Sequence, residues 1–252
     1  MVRFARLNKR GIPVELRKTV TSTNTVVQQE MANYQSPTPI VLVANQQTAG
    51  HGKLQRPFFS PATSGLYLTV GLPLSALDAA WQPQRLTICA AVAAFQAVSP
   101  LTHDELTIKW VNDLYRGNKK VSGMLAETAL DHNNRLQGAV VGWGINLSLP
   151  ANWPPQLQGV AGAIADHPLM PEERYHLVDA VVDRFLNLLE APWAEVMTVY
   201  RDHQYLTGKS LTVQYGNEMV AGRFERIEDD GRLSIQTISG RRTFATGTVR
   251  VK

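Results

Sequence analysis

An α/β (α+β) chain with an all-β tail is predicted by two observations. Apolar runs of strand character alternate with helical periodicity up to about residue 207. From Gly208 onward the texture changes to short alternating strands broken by tight turns. The 252 residues suffice for one large domain and a small appendage, so units at 1–207 and 208–252 are expected.

The elements follow in order. Val14 to Val20 reads as a strand, and Thr21-Ser22-Thr23-Asn24 offers N-cap residues for a helix to about Tyr34. Pro39 to Ala44 is a buried strand. Thr48 to Ala62, with Gly50, Gly52, Pro57 and Pro61, is a long loop, and Gly65 to Val70 is the next strand. A helix from about Gln84 to Val98 places Leu86, Cys89, Ala90 and Ala93 on one face. Strands follow at Thr107–Trp110, Val121–Thr128 and Gln137–Leu147. Ala151 to Pro168 is a connection without periodicity. A long helix begins near Pro171, with an apolar stripe of Val178, Val181, Val182, Phe185 and Leu189, and another covers about Trp193 to Tyr205. In the tail, Gly216-Asn217, Asp230-Gly231 and Ser239-Gly240 are hairpin turns, which suggests a small closed β-barrel.

Composition narrows the function classes. Hydrophobic content of 44% and charged content of 18% are globular values. No apolar run approaches a membrane span, and Met1 to Arg6 has no secretory core, so no membrane is expected as a partner. The single Cys excludes an intrachain disulfide, fits a cytoplasmic setting, and reads as a buried thiol. A net charge of +4 without a basic run longer than two residues gives no nucleic-acid stripe. Gly52-Lys53 is not a phosphate loop, because Gln47 stands at its first Gly and Leu54 follows the Lys. Gly142-Trp143-Gly144 lacks the third Gly of a dinucleotide fingerprint. The six His show no metal-ligand spacing, and no Gly-x-Ser-x-Gly elbow occurs.

The chemistry concentrates in Lys109-Trp110-Val111-Asn112-Asp113-Leu114-Tyr115 and Lys119-Lys120-Val121-Ser122-Gly123. Two strands joined at Arg116-Gly117-Asn118 would hold the Lys109 and Lys120 ammonium groups over one site. That suits a carboxylate being joined to a nucleotide phosphate. Three further pieces accompany this hairpin: Thr21-Ser22-Thr23-Asn24, the run from Gln47 through Gly50-His51-Gly52-Lys53 and Arg56 to Ser60-Pro61, and Val141-Gly142-Trp143-Gly144-Ile145-Asn146-Leu147. Each alone has a plainer reading: helix cap, solvated lysines, bulged core strand, packing tryptophans. Together and in this order they resemble the biotin protein ligases, over nearly the whole chain from Val14.

The resemblance implies a largely antiparallel mixed sheet with packed helices, like the catalytic domain of class II aminoacyl-tRNA synthetases, followed by an SH3-like β-barrel. It implies ATP and biotin as substrates with Mg2+, and activation of biotin as biotinyl-5′-AMP. Transfer would be to a lysine of the biotin carboxyl carrier domain of acetyl-CoA carboxylase or pyruvate carboxylase. Lys120, Lys109 and Arg56 correspond to catalytic residues. Biotin contacts fall on Ser22, Thr23, Asn24, Gln47, Gly50, His51, Lys53, Tyr67, Lys120, Gly123, Gly142 and Gly144. Nucleotide contacts fall on Lys109, Asn112, Asn146 and Arg56. Asp113 is a candidate either for magnesium coordination or for fixing a neighbouring lysine. Short relatives commonly pair through their sheets, so a homodimer is expected. Only about 20 residues precede Thr21, too few for the helix-turn-helix domain of some relatives, so a ligase without repressor activity is expected; operator-specific duplex binding would refute it.

The chain also departs from the family pattern. His51 and Lys53 stand at arginine positions, Leu54 at a third, and Gln55 at a glycine; only Arg56 keeps its guanidinium. Lysine lacks the bidentate fork of arginine, so a looser grip on an adenylate is expected. Phe58 replaces a tryptophan, Val111 a proline, and Thr248 a glutamate of the tail, which leaves the tail's contribution to the site open. Two rivals remain. A lipoate or octanoate ligase of related fold would show an Arg-Arg-x-x-Gly-Gly-Gly loop, which is absent. A biotin-binding homologue that has lost catalysis is motivated by the altered loop and opposed by Lys109, Lys120 and Asn146.

Overall fold

A computed structural model describes residues 3–78 and 81–251. Seven strands form one sheet: β1 (Val14–Val20), β2 (Ile40–Gln47), β3 (Gly65–Pro73), β4 (Leu106–Lys109), β5 (Asp113–Arg116), β6 (Lys119–Leu130) and β7 (Leu136–Asn146). Their spatial order is β1-β2-β3-β7-β6-β5-β4. Only β1 and β2 run parallel, because the helix α2 (Thr23–Met31) crosses between them. Every other pairing in the sheet is antiparallel. The mixed, largely antiparallel sheet is therefore as expected.

The two faces of the sheet have different roles. Leu66, Leu68, Val70 and Leu72 of β3 are buried in the main core with α3 (Pro83–Val98) and α4 (Pro171–Glu190). On the other face α2 lies so close that a Cβ at Gly71 would stand 2.8 Å from Val27. With cover on both sides, every residue of β3 is buried. Cys89 of α3 is buried among the apolar residues of its helix, and burial pushes its thiol up to about 12, the behaviour of a packing residue. No helix among the described residues is long and apolar enough to cross a membrane.

Several boundaries differ from the sequence reading. A short helix α1 (Ala5–Lys9) was not foreseen; the Arg6 and Leu7 backbone N–H groups donate to the Asp179 carboxylate of α4. Strand β2 runs on through polar Asn45-Gln46-Gln47, because its end pairs with Thr19 and Val20 of β1. The turn at Gly117 (φ 56°) lies where expected, but the strand entering it is β5, a separate piece after β4. Helix α5 (Trp193–Asp202) stops short of Tyr205, whose backbone N–H bonds the Ile108 carbonyl instead.

The tail forms β8 (Ser210–Tyr215), β9 (Glu218–Ile227), β10 (Leu233–Thr237), β11 (Gly240–Phe244) and β12 (Thr248–Val251). They make one antiparallel sheet in the order β11-β10-β9-β8-β12. Its hairpins turn at Gly216, Gly231 and Gly240, all with positive φ, as the sequence indicated. This sheet is docked rather than tethered. Trp110 Nε1 donates to the Gly231 carbonyl at 2.9 Å, and Trp193 Nε1 to that of Asp229 at 2.6 Å. Leu211, Ile227 and Leu233 belong to the same buried cluster as the main core.

Candidate functional site

Four segments far apart in the chain meet in a cleft of about 320 Å3 on the α2 face of the sheet. They are the start of α2, the loop after β2, the β4–β6 hairpins, and β6–β7. The segment Gly247–Val249 of the tail closes one side.

One end of the cleft is lined by short polar groups. Gln47 Oε1 accepts hydrogen bonds from the Thr23 backbone N–H (2.8 Å) and hydroxyl (3.1 Å), while its Nε2 donates to Ser60 Oγ (2.9 Å). Ser22 holds the N-cap position of α2, yet its side chain makes no capping bond and lines the cleft. Asn24 is different. Its Nδ2 donates to Glu127 Oε2 (2.9 Å), and its Oδ1 accepts from the Thr69 hydroxyl (2.7 Å). Its amide ties α2 to the sheet and borders the cleft.

The floor is backbone. Gly123 of β6 pairs with Gly144 of β7, and Gly142 pairs with Thr69 of β3. A Cβ at Gly142 would stand 2.0 Å from Asn24 Oδ1, and one at Gly144 2.6 Å from the Phe58 ring. Bare strand backbone is thus required at both positions.

Cations occupy the other end. Lys120 Nζ lies 2.6 Å from Asp113 Oδ1, an ion pair outside hydrogen-bond geometry, and no other donor reaches that oxygen. Lys109 sits opposite Asp113 in the β4–β5 register, with its Nζ donating to the Tyr115 hydroxyl at 3.3 Å. Burial lowers the Lys109 pKa from that of an ordinary lysine; Asp113 opposes the shift, and Lys120 and Lys209 reinforce it. Asn112 clasps β6 through Nδ2 to the Met124 carbonyl at 2.7 Å and lines the cleft.

The loop from Gly50 to Ser60 lies over the cleft. The Gly52 N–H bonds the Arg56 carbonyl and the Phe58 N–H bonds the Gly50 carbonyl, each at 2.8 Å. His51, Lys53 and Arg56 line the opening. Burial, then the Arg56 charge, lowers the Lys53 pKa. Lys53 Nζ donates to Thr246 Oγ1, and Arg56 Nη2 to Thr248 Oγ1 at 3.1 Å. The tail therefore contributes a wall and two acceptors.

Three expected contacts do not line the cleft. Gly50 is packed against Ser60, Gln47 and Phe58. Tyr67 is buried, with its hydroxyl donating to the Pro61 carbonyl and its pKa pushed up to about 12 by burial. Asn146 is buried and donates to the Gly162 carbonyl at 2.9 Å. The other expected contacts line the cleft: Ser22, Thr23, Asn24, Gln47, His51, Lys53, Arg56, Lys109, Asn112, Asp113, Lys120, Gly123, Gly142 and Gly144. Sequence reasoning missed Tyr115, Leu125 and Thr248 as lining residues. Trp110 and Trp143 are packing residues whose indole N–H groups bond the Gly231 and Ala90 carbonyls, each with an edge on the cleft. Among the described residues no group of three or more His, Cys, Asp or Glu could hold a metal ion.

Residues 16–146 match the model of the biotin/lipoate A/B protein ligase family. The chain is 24% identical to the bifunctional ligase/repressor BirA of Bacillus subtilis, over 88% of this chain and 69% of that protein. It is 28% identical to the biotin–[acetyl-CoA-carboxylase] ligase of Paracoccus denitrificans, over 82% and 88% of the two chains. In fold it resembles a biotin protein ligase from Aquifex aeolicus, solved with biotin and ATP, with a TM-score of 0.77, 22% identity, and 95% and 98% of the chains covered. With the family model matched over more than half its length and the relatives aligned over most of it, the chain belongs to the biotin/lipoate A/B protein ligase family.

Proposed function

We propose that the protein is an ATP-dependent biotin ligase that forms biotinyl-5′-AMP and transfers biotin to a lysine of a biotin carboxyl carrier domain, that of acetyl-CoA carboxylase or pyruvate carboxylase. The observation that carries this reading is the polarity of the cleft: short hydrogen-bonding groups at one end, bare strand backbone below, and two lysines at the other end. A ureido head needs donors and acceptors, an apolar bicycle needs close walls, and a carboxylate needs cations. Ser22, Thr23 and Gln47 supply the first, and the Phe58 ring seated over bare Gly144 supplies the second. Lys120 meets the carboxylate.

A carboxylate resists nucleophilic attack. In the first step its oxygen attacks the α-phosphorus of ATP and pyrophosphate leaves, giving a mixed anhydride. In the second, a neutral lysine amine attacks the acyl carbon, AMP leaves and an amide forms. Lys120 and Lys109 stabilise charge that grows on the carboxylate and phosphate oxygens, and the loop with Lys53 and Arg56 keeps water from the anhydride. Asn112 and Arg56 lie on the nucleotide side. Magnesium enters with its substrate, as MgATP. The cleft offers it one carboxylate, Asp113, which already pairs with Lys120. Asp113 is therefore assigned to fixing Lys120 rather than to a protein metal site.

The division near Gly208, closure of the tail into an SH3-like barrel, pairing into a homodimer and a cytoplasmic setting belong to the same reading. The five short antiparallel strands with their tight turns support the barrel. The test is transfer of labelled biotin to a carrier domain. Label should appear only with ATP and magnesium, and excess lipoate should not compete. Binding of biotin without transfer would instead favour a homologue that has lost catalysis.

A further inference from the structure

We infer that Thr246 and Thr248 are positioning residues that latch the loop over the cleft while leaving its two cations electrostatically unsatisfied. This rests on the ligase reading only for its purpose; the latch itself rests on geometry. Lys53 Nζ donates to Thr246 Oγ1 and Arg56 Nη2 to Thr248 Oγ1 at 3.1 Å, although the partners are more than 190 residues apart. Neither cation has an ion-pair partner among the described residues.

The same tail sheet uses carboxylates elsewhere. Arg241 pairs with Glu225, Arg242 with Glu218, and Arg226 with Glu228. Where the sheet meets the cleft, the acceptors facing Lys53 and Arg56 are hydroxyls instead. A neutral acceptor orients a cation without cancelling its charge, so the cation can exchange that hydroxyl for a phosphate oxygen at small electrostatic cost.

The latch is also needed mechanically. Leu54 and Gln55 adopt positive φ, and Leu54 is 72% exposed, so the middle of the loop has little packing of its own. The turn bearing the hydroxyls packs closely on β8, since a Cβ at Gly247 would stand 2.9 Å from Val213 and 3.1 Å from the Gln214 carbonyl.

Trypsin tests this on the ligand-free protein. The Lys53–Leu54 bond is the site to follow, since Arg56 precedes Pro57 and resists cleavage. The double variant T246V/T248V should be cut there about tenfold faster than the parent at unchanged melting temperature. T246S/T248S, which keeps both hydroxyls, should retain the parent's protection. In the ATP-dependent reaction the valine pair should raise KM for ATP about fivefold. If the valine pair fails to fold, the single variant T248V carries the measurement through loss of the Arg56 contact alone. Cleavage of the valine variant at the parent's rate would overturn the proposal, as would a serine pair cut as fast as the valine pair. Because cleavage is read without substrates, a chain unable to ligate biotin would leave the latch standing, and loss of the latch would leave the ligase reading untouched.

Discussion

Replacing Lys120 by Ala removes the ammonium 2.6 Å from Asp113 and leaves Lys109 as the remaining cation beside that half-buried carboxylate. Adenylate formation should fall by about 100-fold or more, the scale for losing one preorganised charge at a reacting oxygen. Far-UV circular dichroism should stay at the parent's. Near-normal turnover in that variant would sink the assignment of Lys120. Lys109 makes a second prediction. Burial lowers its pKa, so its positive charge is lost at a lower pH than that of an exposed lysine, as pH rises through the depressed value. ATP-dependent activity should decline over that same alkaline window. Because a phosphate nearby favours the charged form, ATP should shift the titration of the Lys109 Cε resonance upward. An ATP-free midpoint at or above the 10.5 of an unperturbed lysine would contradict the burial argument.

At the scale of elements, the contact between α2 and the sheet sets the width of the cleft. It runs through Asn24, whose amide is spent on Glu127 and Thr69 and whose oxygen lies over bare Gly142. Asn24→Ala strands the buried Thr69 hydroxyl and the half-buried Glu127 carboxylate, so urea unfolding should register a loss of about 1–3 kcal/mol. Gly142→Ala forces a Cβ to within 2.0 Å of Asn24 Oδ1 and should cost about 1–3 kcal/mol while weakening ligand binding. An alanine variant as stable as the parent would show that α2 can retreat without loss. These elements were legible because their signals are local: a Gly-x-Gly strand, a lysine hairpin, a cap before a helix. The break that separates β5 from β4, and helix α1, were not. Four and five residues carry no period of their own, and each persists through partners elsewhere, β4 and β6 for one and Asp179 for the other. Tyr67 and Asn146 lie on the same sheet face as Gly142 and Gly144, as alternation dictates, but both side chains are buried and bond the Pro61 and Gly162 carbonyls instead of lining the cleft.

For the whole molecule, the tail and the main sheet share one buried cluster, joined by Trp110 to Gly231 and Trp193 to Asp229. A single unfolding transition is expected, with tryptophan fluorescence and far-UV circular dichroism coincident. Two resolved transitions would mean that the tail unfolds on its own. The change of texture at Gly208 was visible in the sequence; the contact of Thr248 with Arg56 was not, because nothing local marks a partner so distant in the chain. The central claim is that this cleft joins a carboxylate to a nucleotide. Its most direct measurement mixes the protein with biotin and MgATP, quenches within one turnover, and looks for biotinyl-5′-AMP by mass spectrometry. The adenylate should form in proportion to enzyme and vanish when a carrier domain is added, as that domain gains biotin. Biotin bound with no adenylate formed would contradict the account.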